Sequence, residues 1–340
     1  MTIENFEPRG ASHCETGIVS NMLNFYGYQL SEPMIFGIGE GLLFVYIPFV
    51  PFKGNAMKFS FRSFPGSVFS CVMKKLHVKV GLKRFSNKEE AMKEMDKLLA
   101  EGIPVGNVVG LYYLPYTPAR AHFNAHNICV VGKEGDQYII NDPVWYTTLI
   151  NISYNDLMKV RFSEGPFKPR GKMYWIKEKS VLPDINLKRI IVSSIKMTCI
   201  KMLGFPLVMR LGVRGIKLVS KKIRNLEAKY NEKDRMLYLA SLVQSIEEMG
   251  TGGAGYRYMY GVFLYEAADV LNDPKFKDFS AQMNSIGDLW RQFALECVRK
   301  FKNRSDLSYD ELADMLVEIS AAEKKFFIAL KKYIKNDLTV

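Results

Sequence analysis

The chain has 340 residues, of which 48% are hydrophobic and 24% are charged, and this composition is typical of a folded globular protein. That length predicts two domains rather than one. The formal net charge is +12, which favours an anionic partner or substrate. Five cysteines without a CxxC pair fit free thiols in a reducing compartment. Neither a leader peptide nor an apolar stretch of spanning length is evident, so we predict a cytoplasmic location, with peripheral membrane contact as the alternative.

The first half of the chain mixes helix and strand signals. Apolar spacing predicts a helix over residues 14–26, and Asn87 is a good N-cap for a second helix over residues 87–102. Glycines at 37, 39 and 41 predict a turn, and Ser153 with Asp156 predicts the capped start of a short helix. Strand signals occupy residues 42–49, 57–64, 104–113, 127–131, 137–140 and 173–176.

After about Pro183 the strand signals stop and the pattern becomes helical. The predicted helices are 186–203, 207–226, 232–249, 254–271, 275–302 and 308–335. We place the domain boundary near residues 178–185. The predicted fold class is α+β, with a mixed domain over residues 1–180 followed by an all-helical domain over residues 184–340.

Three polar residues stand at the ends of predicted elements in the first half. Cys14 opens a helix, His126 opens a strand and Asp142 closes the next strand. The turn at Gly135 and Asp136 would join those strands into a hairpin, which places His126 and Asp142 at the same open end. A helix N-terminus stabilises a thiolate, a histidine exchanges a proton with it, and a carboxylate orients the imidazole.

This order predicts a papain-like cysteine-enzyme fold with Cys14, His126 and Asp142 as catalytic residues and no metal site. Each residue also has an ordinary structural interpretation, because lone cysteines are often small buried apolar residues and an aspartate before proline is often a turn residue. His122 competes with His126 for the catalytic role. We prefer His126 because it leads directly into the apolar strand.

The oxyanion donor is less evident from the sequence. Papain-like enzymes place a glutamine about six residues before the cysteine, and in this chain Pro8 occupies that position. The backbone amide of Cys14 can supply one donor, with His13 or Arg9 as candidates for a second.

Several longer motifs resemble the butirosin-biosynthesis acyltransferase family. In its N-terminal domain these are HCETG (13–17), YGYQLSE (26–32), FGIGEGLLF (36–44), AHNICVVG (125–132) and IINDP (139–143). The last two also resemble the papain-like fold of bacteriocin-processing peptidases. IEEMGTGGAGYR (246–257) and YGVFLYEAA (260–268) are similar to the second domain of the acyltransferase family.

The resemblance implies acyl transfer. An acyl carrier protein thioester would acylate Cys14, His126 would act as base and acid, Asp142 would orient it, and a small-molecule amine would accept the acyl group. No resident cofactor is expected, because the phosphopantetheine would arrive on the carrier protein. Two alternatives stay open: a papain-like peptidase or amidase, and a catalytically inactive protein that binds an amphipathic ligand or lipid. The positive charge argues against an aminoglycoside acceptor, which is itself a polycation.

The predicted substrate-binding residues are His13, Glu32, Gly252, Gly253 and Arg257. Glu32 would bind a substrate amine, although an exposed helper at a helix start is its more ordinary role. The loop at 250–255 contains four glycines, which favours close approach of two helices or of a substrate, with Arg257 available to an anionic group.

Between Asp184 and Glu227 the chain has no acidic residue. The segment carries ten cations: Lys188, Arg189, Lys196, Lys201, Arg210, Arg214, Lys217, Lys221, Lys222 and Arg224. Nucleic acid is disfavoured because no base-reading motif accompanies them. An acidic carrier protein and a membrane surface fit about equally well. The family resemblance supports the carrier protein, and the membrane surface is supported by the interleaved residues Ile190, Ile191, Leu203, Phe205, Leu207 and Leu211.

Overall fold

The computed structural model describes residues 2–48, 59–118, 122–177, 185–204, 208 and 210–336. The chain forms two compact units. Unit 1 comprises Met1–Ile35 and Phe69–Ile185, and unit 2 comprises Phe36–Val68 and Asn186–Val340. Most of the boundary segment predicted near 178–185 lies outside the described residues. Residues 36–68 belong to unit 2, although their sequence pattern groups them with the rest of the first half.

Strands form two antiparallel sheets. A pair, β1 (Leu42–Tyr46) and β2 (Phe59–Arg62), lies in unit 2, and a six-stranded sheet in the order β3-β8-β4-β5-β6-β7 lies in unit 1. The strands of the larger sheet are β3 (Val80–Lys83), β4 (Val105–Val109), β5 (His126–Glu134), β6 (Gln137–Asn141), β7 (Ile150–Ser153) and β8 (Met173–Ile176).

Along the chain, helices lie before the first strand of the larger sheet, between its strands and after its last strand. The first five are α1 (Cys14–Phe25), α2 (Glu32–Ile38), α3 (Ser67–Lys75), α4 (Lys88–Ala100) and α5 (Tyr154–Arg161). The others are α6 (Leu187–Leu203), α7 (Gly212–Arg224), α8 (Leu226–Lys229), α9 (Glu232–Val243), α10 (Arg257–Leu271), α11 (Lys275–Phe301) and α12 (Tyr309–Asn336). The predicted α+β class with a helical C-terminal part is confirmed.

Local capping signals fix the starts of two helices in unit 1. The side chain of Asn87 accepts a hydrogen bond from the amide of Glu90 at 2.9 Å, and Ser153 accepts one from the amide of Asp156 at 3.1 Å. Both predicted caps are therefore confirmed. In unit 1, α1 packs against β5, and this contact brings the start of the first helix to the central sheet.

Aromatic side chains explain why β1 and β2 belong with the helices of unit 2. Phe44 of β1 and Phe61 of β2 lie 6.1 and 5.0 Å, centroid to centroid, from the ring of Trp290 in α11. Trp290 is fully buried, so these three rings form the centre of a shared core.

The structure differs from the sequence-based expectations in several short elements. Gly37 lies inside α2 rather than in a turn, and α3, β3 and β7 are additional. The predicted helix at 207–226 begins at Gly212, and the one at 232–249 changes to π-helical geometry over Gln244–Glu248. Within the described ranges, no helix is both long enough and apolar enough to span a bilayer.

Candidate active site

Cys14 is the first residue of α1, and His13 is the N-cap of that helix. The thiol is nearly buried, with 7% of the residue exposed. A helix N-terminus presents backbone amides without intrahelical partners and a positive dipole end, and both favour the thiolate over the thiol. The predicted location of Cys14 at a helix start is confirmed.

His126 and Asp142 form a buried ion pair beside this cysteine. His126 Nε2 lies 2.8 Å from Asp142 Oδ2, and the two residues are 4% and 0% exposed. His126 also interacts electrostatically with Cys14, which is close enough to raise the pKa of the imidazole. The structure thus brings together the three residues that the sequence predicts.

The charge state of His126 follows from these neighbours. Burial by itself lowers the pKa of His126, but the carboxylate of Asp142 and the thiolate form of Cys14 raise it further, to about 10. An imidazolium is therefore the favoured form at neutral pH. It can stabilise a thiolate on Cys14 and can supply a proton to a leaving group.

A tyrosine adds a second donor to Asp142. The hydroxyl of Tyr116 donates to Asp142 Oδ2 at 2.9 Å, and the backbone oxygen of Tyr116 accepts from the Tyr146 hydroxyl at 3.2 Å. Burial first, and then the adjacent carboxylate, raise the pKa of Tyr116 well above its ordinary value, so the phenol remains a donor. Asp142 Oδ1 is buried and has no hydrogen-bond partner among the described residues.

Asn127 approaches the nucleophile from the residue after His126. Its Nδ2 lies 3.9 Å from Cys14 Sγ, and its Oδ1 accepts from the hydroxyl of Tyr174 at 2.9 Å. Asn127 Nδ2 also donates to the backbone oxygen of Ala125 at 3.2 Å, and because that oxygen can only accept, the N–H end of the amide faces the sulfur. Asn127 therefore presents N–H donors to the nucleophile, a role that the sequence pattern does not predict.

Glu32 holds the segment that leads into α1. Its Oε2 accepts from the amide of Ser12 at 2.9 Å, and its Oε1 accepts from the amide of His13 at 2.8 Å and from the hydroxyl of Thr16 at 2.9 Å. Burial raises the pKa of Glu32, and these three hydrogen bonds oppose that rise. The predicted partner of Glu32 is a substrate amine, whereas its partners in the structure are donors of its own chain on both sides of Cys14.

The structure distinguishes the two histidines considered for the acid–base role. His122 is exposed and stacks on Tyr112, with ring centroids 3.9 Å apart. His126 is the one that contacts Asp142 and Cys14.

The two side chains considered as oxyanion donors lie in different surroundings. His13 is 3% exposed, and its Nδ1 accepts from the amide of Thr16 at 3.4 Å, so the neutral ring carries its proton on Nε2. The side chain of Arg9 is 52% exposed and lies 3.5 Å from Glu7. The role of His13 as a donor to substrate stays a prediction, and its tautomer is suited to that role.

The other predicted binding residues lie in unit 2, where the chain itself uses their polar groups. Arg257 is fully buried, and its Nε donates to Glu323 at 2.8 Å and its Nη1 to the Gly255 oxygen at 2.7 Å. The anionic group predicted for Arg257 is therefore Glu323.

The glycine loop before Arg257 also has internal partners. The amide of Gly253 donates to Thr251 at 3.0 Å, and a Cβ on Gly253 would lie 2.6 Å from Arg291. Gly252 has a positive φ of 67°, which favours glycine at that position. These contacts give Gly252 and Gly253 a conformational role, and their contact with substrate stays a prediction.

No group of three or more histidine, cysteine, aspartate or glutamate side chains in the described part of the chain is arranged to hold a metal ion. All five cysteines are free thiols.

Two family models match the chain. The model for the N-terminal region of butirosin biosynthesis protein H matches residues 13–143, and the model for a domain of unknown function, DUF4872, matches residues 155–330. A crystal structure of a putative C39-like peptidase from Bacillus anthracis is similar over 53% of this chain and 98% of that chain, at 14% identity and a TM-score of 0.36. No curated protein matches the sequence.

A cysteine at a helix start, a histidine at a strand start and an aspartate after the neighbouring strand define a cysteine enzyme of the papain-like type. The chain belongs to the DUF4872 family, and its first half is similar to the N-terminal region of butirosin biosynthesis protein H.

Proposed function

We propose that this protein is an acyltransferase that moves an acyl group from a thioester donor, through a thioester on Cys14, to an amine acceptor. The observation that carries the proposal is the buried His126, which lies 2.8 Å from Asp142 and whose pKa is raised by both Asp142 and Cys14. That arrangement places a nucleophile and a proton donor in one site.

The first half-reaction exchanges one thioester for another. The Cys14 thiolate attacks the donor carbonyl, and the tetrahedral intermediate expels the donor sulfur, which takes the proton from His126. The products are acyl-Cys14, the free donor thiol and a neutral imidazole. Asp142 keeps the imidazole oriented throughout.

The second half-reaction forms the amide. The amine attacks acyl-Cys14 and passes a proton to the neutral His126, and the Cys14 thiolate leaves. The imidazolium–thiolate pair is restored, and no water is consumed. A hydrolase with the same residues would use water in place of the amine, so the acceptor decides between transferase and hydrolase.

For the donor we propose an acyl group on the phosphopantetheine arm of an acidic acyl carrier protein. The family resemblance supports this donor, and so does the net charge of +12, because a basic protein favours an acidic partner. The acceptor would be a small amine other than a polycationic aminoglycoside. A cytoplasmic location belongs to the proposal, since a reducing compartment keeps Cys14 available as a thiol.

The test is intact mass spectrometry of wild type and Cys14→Ala after incubation with acyl carrier protein thioesters and with small acyl thioesters. We expect a mass gain equal to the acyl group on wild type only, and its discharge by an added amine with formation of the amide. Discharge by water at the same rate with and without amine would replace transferase by hydrolase. Absence of an adduct with every donor, together with an iodoacetamide-resistant Cys14, would leave ligand binding as the function.

A further inference from the structure

The basic segment at 186–226 is partly neutralised within unit 2. Lys201 lies 2.7 Å from Glu40, and Arg224 pairs with Asp310 at 3.0 Å and with Asp314. Among the interleaved apolar residues, Ile191 is fully buried, and Phe205 and Leu207 lie outside the described residues. The segment by itself therefore offers fewer unpaired cations and fewer exposed apolar residues to an anionic partner than its sequence indicates.

A second basic region lies in the C-terminal half of α12. Ile328 is 48% exposed there. Successive residues of a helix are rotated by about 100° around its axis, so five lysines of α12 point within about 60° of the direction of Ile328 and share its exposed face. Glu323 is the last acidic residue before them and is fully buried. These exposed lysines are Lys324, Lys325, Lys331, Lys332 and Lys335.

Helix α6 brings further cations to the same part of unit 2. Burial raises the pKa of Cys199 in α6 to about 12, and the nearby charge of Lys331 in α12 opposes that rise, so the two helices adjoin there. The exposed side of α6 carries one 39% exposed apolar residue, Met197. Its exposed cations are Lys188, Arg189 and Lys196.

We call these eight cations, together with Ile328 and Met197, the α6–α12 basic face. None of the eight cations forms an ion pair with another described residue. The helix macrodipole favours cations in the last turn of a helix, and only Lys335 occupies that turn of α12. Within the part of the chain that the structure describes, the basic face therefore has no acidic partner.

We propose that the α6–α12 basic face binds the surface of an anionic lipid bilayer. Seven of its eight cations are lysines, and lysine is depleted where proteins recognise one another, whereas arginine and aromatic residues are enriched there. Lysine clusters on a helix attract anionic headgroups without specific geometry, and exposed apolar residues such as Ile328 enter the headgroup boundary. This proposal does not depend on the chemistry at Cys14.

The test is sedimentation of the full-length protein with vesicles of phosphatidylcholine alone and of phosphatidylcholine containing phosphatidylglycerol. We expect binding to the second kind only, and its loss at high salt, because exposed charges are screened. Lys324→Glu/Lys331→Glu/Lys335→Glu is expected to lower the bound fraction about tenfold or more. Ile328→Ser is expected to lower it about threefold, since it removes the apolar part of the contact.

The matched control is Lys88→Glu/Lys93→Glu/Lys97→Glu on α4, which makes the same change in net charge at three exposed lysines of unit 1. It is expected to retain most of the binding. Equal loss in both triple variants, or no binding to phosphatidylglycerol vesicles, would overturn the proposal. Retention of vesicle binding with loss of binding to an acidic carrier protein in the α12 variant would assign the face to a protein partner instead.

Discussion

The two units each bury an ion pair, and the pairs have different chemistry. In unit 1, His126 and Asp142 lie 2.8 Å apart, and His126 also interacts electrostatically with Cys14. In unit 2, Arg257 lies 2.8 Å from Glu323, and both side chains are fully buried.

The surroundings explain why only the first pair is a candidate catalyst. The guanidinium of Arg257 lies 5.3 and 5.1 Å from the ring centroids of Phe61 and Trp290, and Trp290 also donates to Glu323 at 2.7 Å. Burial lowers the pKa of Arg257, yet an arginine remains charged, so this pair cannot exchange protons at neutral pH.

A buried charge is therefore not evidence of a catalytic site by itself. The pair in unit 1 combines a titratable group with a nucleophile, and the pair in unit 2 combines a permanent charge with aromatic packing. The following changes test that distinction.

The largest effect is expected from Asp142→Asn. The amide cannot stabilise an imidazolium and favours a different orientation or tautomer of His126, so acyl transfer should fall roughly 10³- to 10⁴-fold. The measurement is the rate of Cys14 acylation in single turnover. An unchanged rate would mean that Asp142 has no part in catalysis.

Arg257→Met is expected to act on stability alone. It leaves the carboxylate of Glu323 buried without its cation, which should lower the free energy of unfolding by about 3–5 kcal/mol. Urea unfolding measures this loss, and alkylation of Cys14 should keep its wild-type rate while the protein is folded. The double variant with Glu323→Gln is the control, because removal of the second charge should recover part of the loss.

The pH dependence of stability should differ between wild type and Asp142→Asn. The pKa of His126 is raised from 6.5 to about 10 in the folded protein. Its protonation therefore contributes fully to the free energy of unfolding below pH 6.5, and this contribution is lost as the pH rises toward 10. Wild type should lose more unfolding free energy over that window, on the order of a few kcal/mol. Parallel curves for the two proteins would show that Asp142 does not raise the pKa of His126.

A smaller effect is expected from Glu32→Gln. The amide retains one acceptor but places N–H groups against a backbone donor, so the segment before Cys14 should lose part of its order. We expect Cys14 alkylation to slow about tenfold, and the unpaired donor to lower the free energy of unfolding by about 1–3 kcal/mol. Glu89→Gln, at an exposed position of α4, is the matched control. An equal rate in both variants would make Glu32 merely structural.

The sequence predicts the elements that have strong local signals. Asn87 and Ser153 are helix caps whose chemistry is local, and the turn at Gly135 and Asp136 predicts the pairing of β5 with β6. The same hairpin places His126 beside Asp142. The catalytic candidates are therefore predictable because each lies at the end of an element.

Other features depend on contacts between distant residues and have no local signal. Tyr116 reaches Asp142 from a loop. Helix α2 is a different case, because local signals do mark its start. Ser31 accepts from the amide of Met34 at 3.1 Å in a capping contact, and Pro33 is favourable at a helix start, but Gly37 inside the helix favours a turn. The partner of Arg257 lies 66 residues away, so its burial could not be predicted from the glycine loop.

The most direct test of the proposed catalytic site is the pH profile of iodoacetamide modification at each cysteine, followed by peptide mass mapping. Burial raises the pKa of Cys129, Cys199 and Cys297, which makes these three thiols internal controls in the same sample. We predict that Cys14 reacts near neutral pH while the controls do not, and that His126→Gln slows Cys14 alone. If Cys14 reacts no faster than the three buried thiols, the imidazolium–thiolate pair does not exist and the proposed catalysis is wrong.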